Sequence, residues 1–169
     1  VATGDYFLDY KDYGIDLSNF EEAYIGIPIN GNYDGKQLGL PTGISGAGIM
    51  VNKDLADAIG LDFSRTYSWE DLITMGKKVR EYDDSMYLLC ANKEYIVNLV
   101  VFNYAKQLIG ATVFDPETKT LNMTEDQLKE IFGYVKRLYD EEVVPPASYQ
   151  AAYSGDNLQS DTNWIGGKY

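Results

Sequence analysis

The sequence contains no histidine, one cysteine and no long hydrophobic run, and each absence narrows what the chain can do. Without histidine it lacks the usual general base and the commonest metal ligand, so a Ser-His-Asp or Cys-His catalytic site is excluded and no metal or cofactor is expected. Catalysis would have to depend on carboxylates, tyrosine or lysine. No apolar stretch reaches the roughly 18 residues of a membrane-spanning helix.

The single cysteine, Cys90, lies in the apolar run of residues 86–90, where a buried thiol packing as a small hydrophobic group is expected. One cysteine cannot form an internal disulfide, so the cellular compartment stays open. The chain begins at Val1 without an initiator methionine or a charged-then-apolar leader. We therefore expect a trimmed chain, and the missing signal says nothing about export.

Positive charge is also scarce, since 14 Lys and Arg residues face 26 Asp and Glu residues and the net charge is -12. A surface of this sign repels a phosphate backbone, so nucleic acid is not an expected partner. Tyrosine, in contrast, occurs 15 times. A phenol joins a flat apolar face to a polar tip, which suits a surface that grips a ligand in water, although the same residues also suit a core.

Helix signals recur along the 169 residues, a length that can bury a core without disulfides. Capping patterns begin at Ser18, Ser68 and Thr124, and the first predicts a short helix to about Tyr24. The second and third helices are expected to bury the apolar residues at helical spacing: Leu72, Met75, Val79 and Tyr82, and then Leu128, Ile131, Phe132, Val135 and Leu138. A short helix from Asp54 should end at Gly60.

Apolar runs predict the remaining elements. Strands are expected over residues 36–40, 49–51 and 86–90, the last buried on both faces, with a small hairpin joining residues 112–114 to 121–123. Residues 95–109 are apolar on nearly every side and predict the central, most enclosed helix, and a final helix is expected from about Asn157 to Ile165. Short strands close to helices indicate an α/β layer. No strand follows the last helix, so the domain is expected to be truncated there.

The segment of residues 42–48 has three glycines in six positions, which is too flexible for the interior of an element. We predict that it is a hinge or a crossing between two compact bodies. The double turn signal of residues 30–35 precedes it.

Four motifs in order resemble family 1 extracellular solute-binding proteins of bacterial ABC importers. They are Asp34-Gly35-Lys36-Gln37-Leu38-Gly39-Leu40-Pro41, Ile49-Met50-Val51-Asn52-Lys53-Asp54-Leu55, Tyr67-Ser68-Trp69-Glu70-Asp71-Leu72 and Trp164-Ile165-Gly166-Gly167-Lys168. Val51, Tyr67 and Trp164 depart from the usual residues of these motifs. Each substitute can serve the same buried position.

The resemblance implies a periplasmic-binding-protein-like (type II) fold, here a helix-rich C-terminal lobe with a small mixed sheet, truncated. Residues 1–41 would end the N-terminal lobe, residues 42–48 cross the hinge, and residues 49–169 form the incomplete C-terminal lobe. The implied function is capture of a sugar or oligosaccharide by closure of two lobes, without catalysis, and delivery to the membrane subunits of an ABC permease. The implied location is extracellular, either as a cell-surface lipoprotein or in the periplasm.

Asn92, Glu94 and Tyr95 are the first candidate ligand residues, because they follow a predicted buried strand and precede a helix, where open α/β sheets bind ligands. Their position is also similar to that of a Glu and aromatic pair used by maltose-binding relatives. The hypothesis makes Tyr95 a stacking plate, Glu94 a hydroxyl acceptor and Asn92 a bidentate amide. The alternative is a solvated turn with Glu94 at the positive end of a helix.

Three further candidates are Ser45 in the glycine-rich crossing, Tyr153 as a second plate, and Tyr149 in the polar and aromatic loop of residues 147–156. Trp69 and Trp164 are expected to serve packing. Two other functions stay open: a carboxylate-based glycoside hydrolase, and a non-catalytic carbohydrate or protein interaction module. Isolated, the chain is expected to bind sugar poorly.

Overall fold

The computed structural model describes residues 6–43, 48–115, 117–152 and 158–169. The chain divides into two compact units, Val1–Gly48 and Ile49–Tyr169. The assignment of these units to two lobes, and of residues 42–48 to a hinge, stays a prediction. Residues 44–47, including Ser45, lie outside the described residues.

The first unit is organised around a short hairpin. Strands β1 (Asn32–Tyr33) and β2 (Lys36–Gln37) pair antiparallel, with Asn32 opposite Gln37. The two loop residues, Asp34 and Gly35, have φ values of 50° and 79°, as the tight turns that fit strand twist require. The turn signal is confirmed. The strand predicted to Leu40 is wrong beyond Gln37.

The helix predicted from Ser18 is also wrong, because residues 18–27 form turns and bends. The Ser18 N–H donates to Asp16 Oδ1 at 2.9 Å, so an upstream side chain takes the local hydrogen bond. Such a side-chain turn competes with helix formation. Two 3-10 helices, Tyr10–Tyr13 and Pro28–Asn30, are the helical elements among the described residues of this unit.

The second unit is helix-rich and holds the apolar core. Helix α1 (Lys53–Ile59) ends at Gly60, which has a φ of 78°, and α2 (Trp69–Tyr82) begins with a capping box of Ser68 and Asp71. The long helix of residues 93–109 consists of α3 (Lys93–Tyr95), a π-helical stretch (Ile96–Val101) and α4 (Phe102–Ile109). After these come α5 (Glu125–Asp140), α6 (Ala147–Gln150) and α7 (Thr162–Ile165). The core cluster consists of Ile73, Ile96, Val100, Tyr134, Leu138, Val143 and Val144.

The predicted helices α1, α2 and α5 are confirmed, but two residues expected inside are outside. Tyr82 is 55% exposed and Phe132 is 57% exposed. On α5 the inward stripe belongs to Ile131, Tyr134 and Leu138, and Phe132 lies about 100° around the helix from Ile131. Tyr82 is the last residue of α2, where the helix no longer faces the core.

The helix of residues 93–109 is not the enclosed central helix that its composition predicts. Ile96, Val100 and Ala105 are buried, whereas Val97 is 38% exposed and Phe102 is 40% exposed. Only one face packs against the core, so the apolar residues of the other face remain on the surface.

The predicted strands of the second unit are absent among its described residues. Residues 49–51 are exposed and irregular. In the segment of residues 86–90, the Tyr87 N–H donates to Lys168 O and the Leu89 N–H to Val143 O. These partners belong to two different segments, so no ladder forms. The small mixed sheet predicted for the C-terminal lobe is therefore wrong for the described residues of this unit, which contain one isolated bridge, Phe114–Leu121.

Two other local predictions meet different outcomes. The hairpin of residues 112–123 is confirmed, but as a single bridge between Phe114 and Leu121. The final helix is shorter than predicted, because Asp161 caps a new helix, α7, after a 3-10 turn (Leu158–Ser160). Trp164 is 39% exposed, so its predicted buried position is wrong. No helix in the described part of the chain is both long and apolar enough to cross a membrane.

Candidate functional site

The first candidate segment, residues 92–95, forms the beginning of the long helix. Asn92 is its N-cap, with a φ of -80° and a ψ of 179°, and its Oδ1 accepts from the Tyr95 N–H at 2.9 Å. One lone pair of this carbonyl is therefore used by the helix. No described residue takes a hydrogen bond from Asn92 Nδ2. The amide nitrogen and the second lone pair of Oδ1 are the parts of Asn92 available to a ligand.

Glu94 and Lys93 lie in the first turn and are exposed. Neither side chain has an ion pair or a hydrogen bond with another described residue. Some other ionised side chains nearby in sequence are paired, for example Asp83 with Lys168. The Glu94 carboxylate can thus accept hydrogen bonds from hydroxyl groups without first breaking a bond of the protein.

Tyr95 is half-buried, and the π-helical stretch begins directly after it. Within that stretch the Phe102 N–H bonds to Val97 O, five residues back, and Asn103 Nδ2 donates to Leu99 O at 2.8 Å. A wide turn of this kind changes the direction in which the preceding side chains project and is often found at functional sites.

The second described candidate, Tyr149, belongs to a polar cluster around Asp161. Its hydroxyl donates to Asp161 Oδ1 at 2.7 Å and accepts from the Asn163 N–H at 3.0 Å. The ring is half-buried on α6. Because its hydroxyl is engaged inside the protein, Tyr149 can offer a ligand its ring more readily than its hydroxyl.

Cys90 lies at the other side of the same cluster, with its Sγ 3.8 Å from Asp161 Oδ2. Partial burial and, secondly, the nearby Asp161 charge raise the pKa of the thiol to about 11. The thiol is half-buried, not enclosed, yet it stays protonated at neutral pH. Burial likewise raises the pKa of Tyr169, whose hydroxyl lies 3.3 Å from Asp161 Oδ2.

Tyr153 and Ser45 fall outside the described residues, so their candidate roles stay predictions. Trp69 serves packing, as expected: its ring stacks on Tyr104 with centroids 5.3 Å apart, and its Nε1 donates to Gln107 Oε1 at 2.7 Å. The described residues contain no cluster of three or more potential metal ligands.

Asp161 is the important residue that sequence reasoning missed. It is 5% exposed and is the N-cap of α7, where its Oδ1 accepts from the Asn163 and Trp164 N–H groups. An Asp followed by Thr-Asn-Trp is a recognisable capping signal, but it was hidden inside the longer helix that the composition predicts. Tyr149 and Tyr169 lie 12 and 8 positions from Asp161, outside the range of a capping pattern, and Cys90 lies 71 positions away, so a local pattern cannot reveal these contacts.

The comparisons with known proteins give relatives of one kind. The chain is 27% identical over 107 residues to an arabinooligosaccharide-binding protein of Halalkalibacterium halodurans, a match that covers 63% of this chain and 22% of the relative. No family model matches the sequence.

Two solved structures share the fold. A periplasmic solute binding protein from Pectobacterium atrosepticum superposes with a TM-score of 0.80 and 25% identity, covering 96% of this chain and 40% of that one. A periplasmic oligogalacturonide binding protein from Yersinia enterocolitica, solved with saturated digalacturonic acid, gives a TM-score of 0.71 and 22% identity over 94% of this chain and 38% of that one. The chain thus spans well under half the length of each relative.

Proposed function

We propose that this chain is part of a solute-binding protein that captures a sugar or oligosaccharide for import and does not turn it over. The observation that carries the proposal is the superposition of 96% of the chain on a periplasmic solute binding protein at a TM-score of 0.80. The sequence relative is named for binding arabinooligosaccharides, and the second structural neighbour for binding oligogalacturonides. All three relatives are binding proteins, which favours capture over catalysis.

At the residue level, the proposal places the ligand against residues 92–95. Sugars present apolar C–H faces and rings of hydroxyl groups, so a binder needs an aromatic plate beside carboxylates and amides. Tyr95 supplies the plate, the exposed Glu94 carboxylate accepts hydrogen bonds from hydroxyl groups, and Asn92 acts as a bidentate amide through Nδ2 and the second lone pair of Oδ1. Tyr149 contributes its ring, and Ser45 and Tyr153 are further proposed contacts.

The wider mechanism is that of a type II solute-binding protein of family 1. Two lobes close over the solute, with residues 42–48 absorbing the rotation, and closure removes water from the ligand. The loaded protein then delivers the solute to the membrane subunits of an ABC permease. We place the protein outside the cytoplasmic membrane, in the periplasm or as a lipid-anchored surface protein.

Calorimetry tests the proposal on a full-length protein that carries this sequence, titrated with arabino-oligosaccharides and oligogalacturonides. Tyr95→Ala should weaken binding about three- to tenfold, the worth of one aromatic contact. Tyr82→Ala is the matched control, because Tyr82 is an exposed tyrosine on α2. Glu94→Gln should weaken binding, because Glu94 lies in the proposed site. Glu81→Gln is the matched control: it also removes one exposed carboxylate, but outside that site, and should leave binding unchanged.

Three results would count against the proposal. Absence of heat and of any thermal shift with every oligosaccharide would favour an interaction module. Release of reducing ends from the same panel would favour the glycoside hydrolase. Equal effects of the Tyr95 and Tyr82 substitutions would move the site away from residues 92–95. The isolated 169-residue chain is expected to bind weakly, and millimolar or tighter affinity would contradict that expectation.

A further inference from the structure

The Asp161 carboxylate joins segments that are far apart in the sequence. Its Oδ1 accepts from the Tyr149 hydroxyl at 2.7 Å, and its Oδ2 lies 3.3 Å from the Tyr169 hydroxyl and 3.8 Å from Cys90 Sγ. A carboxylate that is only 5% exposed is costly to bury unless it is hydrogen-bonded. Here donors from α6, from the C-terminal residue and from the segment before the long helix supply those bonds.

Capping of α7 does not account for this arrangement. The cap uses only Oδ1, through the Asn163 and Trp164 N–H groups, and α7 has just four residues. The Oδ2 atom faces Cys90 and Tyr169, which belong to no helix. A residue needed only as a cap would not have to be buried against two other segments.

The packing of α6 points the same way. Gln150, beside Tyr149, is 7% exposed, and its Nε2 has no hydrogen-bond partner among the described residues, which opposes this placement of α6. The bonds between the Tyr149 hydroxyl and the Asp161 group act in the opposite direction, because hydrogen bonds to an ionised acceptor are stronger than neutral ones. Asp161 thus holds α6 in place together with the Tyr139 hydroxyl, which donates to Gln150 Oε1 at 3.1 Å.

We infer that Asp161 is a positioning residue that fixes α6 relative to residues 92–95, the two described segments proposed to bear ligand contacts. The Asp161 carboxylate contacts Tyr149 on α6 directly, and it contacts Cys90, which lies two residues before Asn92 and leads into residues 92–95. This inference rests on the proposed function. It assigns no ligand contact to Asp161 itself.

The test compares Asp161→Asn with the wild-type full-length protein. Asparagine keeps the shape and one acceptor oxygen but removes the charge that Tyr149 and Tyr169 bond. Oligosaccharide affinity, measured well below the melting temperature, should fall about tenfold. This is the low end of the loss in metal affinity or activity when the hydrogen-bond partners of metal ligands are mutated. Tyr169→Phe removes one bond to Oδ2 and should act in the same direction to a smaller extent, so it serves if the Asn variant does not fold.

Cys90 supplies a readout that a merely structural role would not move, since it is the single thiol of the chain. Loss of the Asp161 charge itself speeds alkylation of Cys90 whatever the role of Asp161, so the rates are compared within each variant, with and without oligosaccharide. If bound oligosaccharide holds the segment around Cys90 in place through Asp161, saturating oligosaccharide should slow Cys90 alkylation at least about threefold in the wild type and have little effect in Asp161→Asn.

Tyr134→Phe is the stability control, since it removes a hydrogen bond between the Tyr134 hydroxyl and Trp69 O. It should lower the melting temperature without changing affinity. If the wild type binds and both Asp161→Asn and Tyr169→Phe bind equally well, Asp161 is only structural and this inference alone fails. If the wild type binds no oligosaccharide, the proposed function fails and the inference falls with it.

Discussion

A single methyl group at position 76 should distinguish packing from helix propensity in this chain. Gly76 lies inside α2, and a Cβ built there would be 2.8 Å from Val143 Cγ2 and 3.2 Å from Val143 Cα. Val143 is fully buried, so it cannot move away into solvent. Glycine is therefore required at position 76 by the close approach of the neighbouring segment, not by its backbone angles.

The expected effect of Gly76→Ala is the difference of two terms. Replacing a helical glycine with alanine gains about 1 kcal/mol, and forcing a methyl group into a packed core costs about 1–3 kcal/mol. We expect a net loss of about 1 kcal/mol in the free energy of unfolding. For a chain of this size, that corresponds to a melting temperature about 3 °C lower by circular dichroism.

The chain offers a matched control in Gly133→Ala on α5, where no atom lies within 4 Å of the added Cβ. The stabilisation from the higher helix propensity of alanine should not be offset by a steric clash there, so the melting temperature should be about 3 °C higher. In the double variant Gly76→Ala/Val143→Ala the two losses should not add, because removing Cγ2 relieves the closest contact. Equal stabilisation by Gly76→Ala and Gly133→Ala would refute the packing argument.

Three further predictions concern single side chains. The hydrogen bonds from Ser85 and, secondarily, from Lys168 lower the pKa of Asp83 from 3.8 to about 2. Because the pKa is lower in the folded state, the ionised carboxylate stabilises the fold above about pH 4, and this stabilisation is lost as the pH falls through about 2. The melting temperatures of Asp83→Asn and the wild type should therefore differ at neutral pH and converge near pH 2. Tyr134→Phe should cost about 1 kcal/mol in chemical denaturation, because the buried hydroxyl donates to Trp69 O at 2.7 Å; no change would refute that bond. Alkylation of Cys90 should accelerate up to about pH 11, in line with its pKa, and a plateau near pH 8.5 would contradict the burial that raises it.

Local signals in the sequence predicted the elements whose causes are local. The capping boxes at Ser68 and Thr124 and the glycine at position 60 define helix ends through bonds made within a few residues, and α1, α2 and α5 follow. The Asp34-Gly35 turn succeeds for the same reason, since both residues tolerate positive φ. The capping pattern at Ser18 failed because Asp16, two residues upstream, takes the Ser18 N–H instead.

The sequence could place the candidate ligand residues only as a segment. Asn92 proved to be a helix cap as well as a candidate amide, and the exposed Glu94 has no competing partner among the described residues. The apolar composition of residues 95–109 indicated full enclosure, yet only one face is covered. Composition reports which residues could be buried, and it does not report how many neighbouring elements exist to bury them.

The sequence by itself determined α1, α2, α5 and the Asp34-Gly35 turn, because these depend on hydrogen bonds between residues close in the chain. Only the tertiary structure decided that residues 86–90 do not form a strand: the N–H groups of Tyr87 and Leu89 bond to Lys168 O and Val143 O instead of to a neighbouring strand. Only it brought Cys90, Tyr149 and Tyr169 to Asp161. Contacts between residues tens of positions apart depend on the packing of every element between them, and no local pattern encodes that packing.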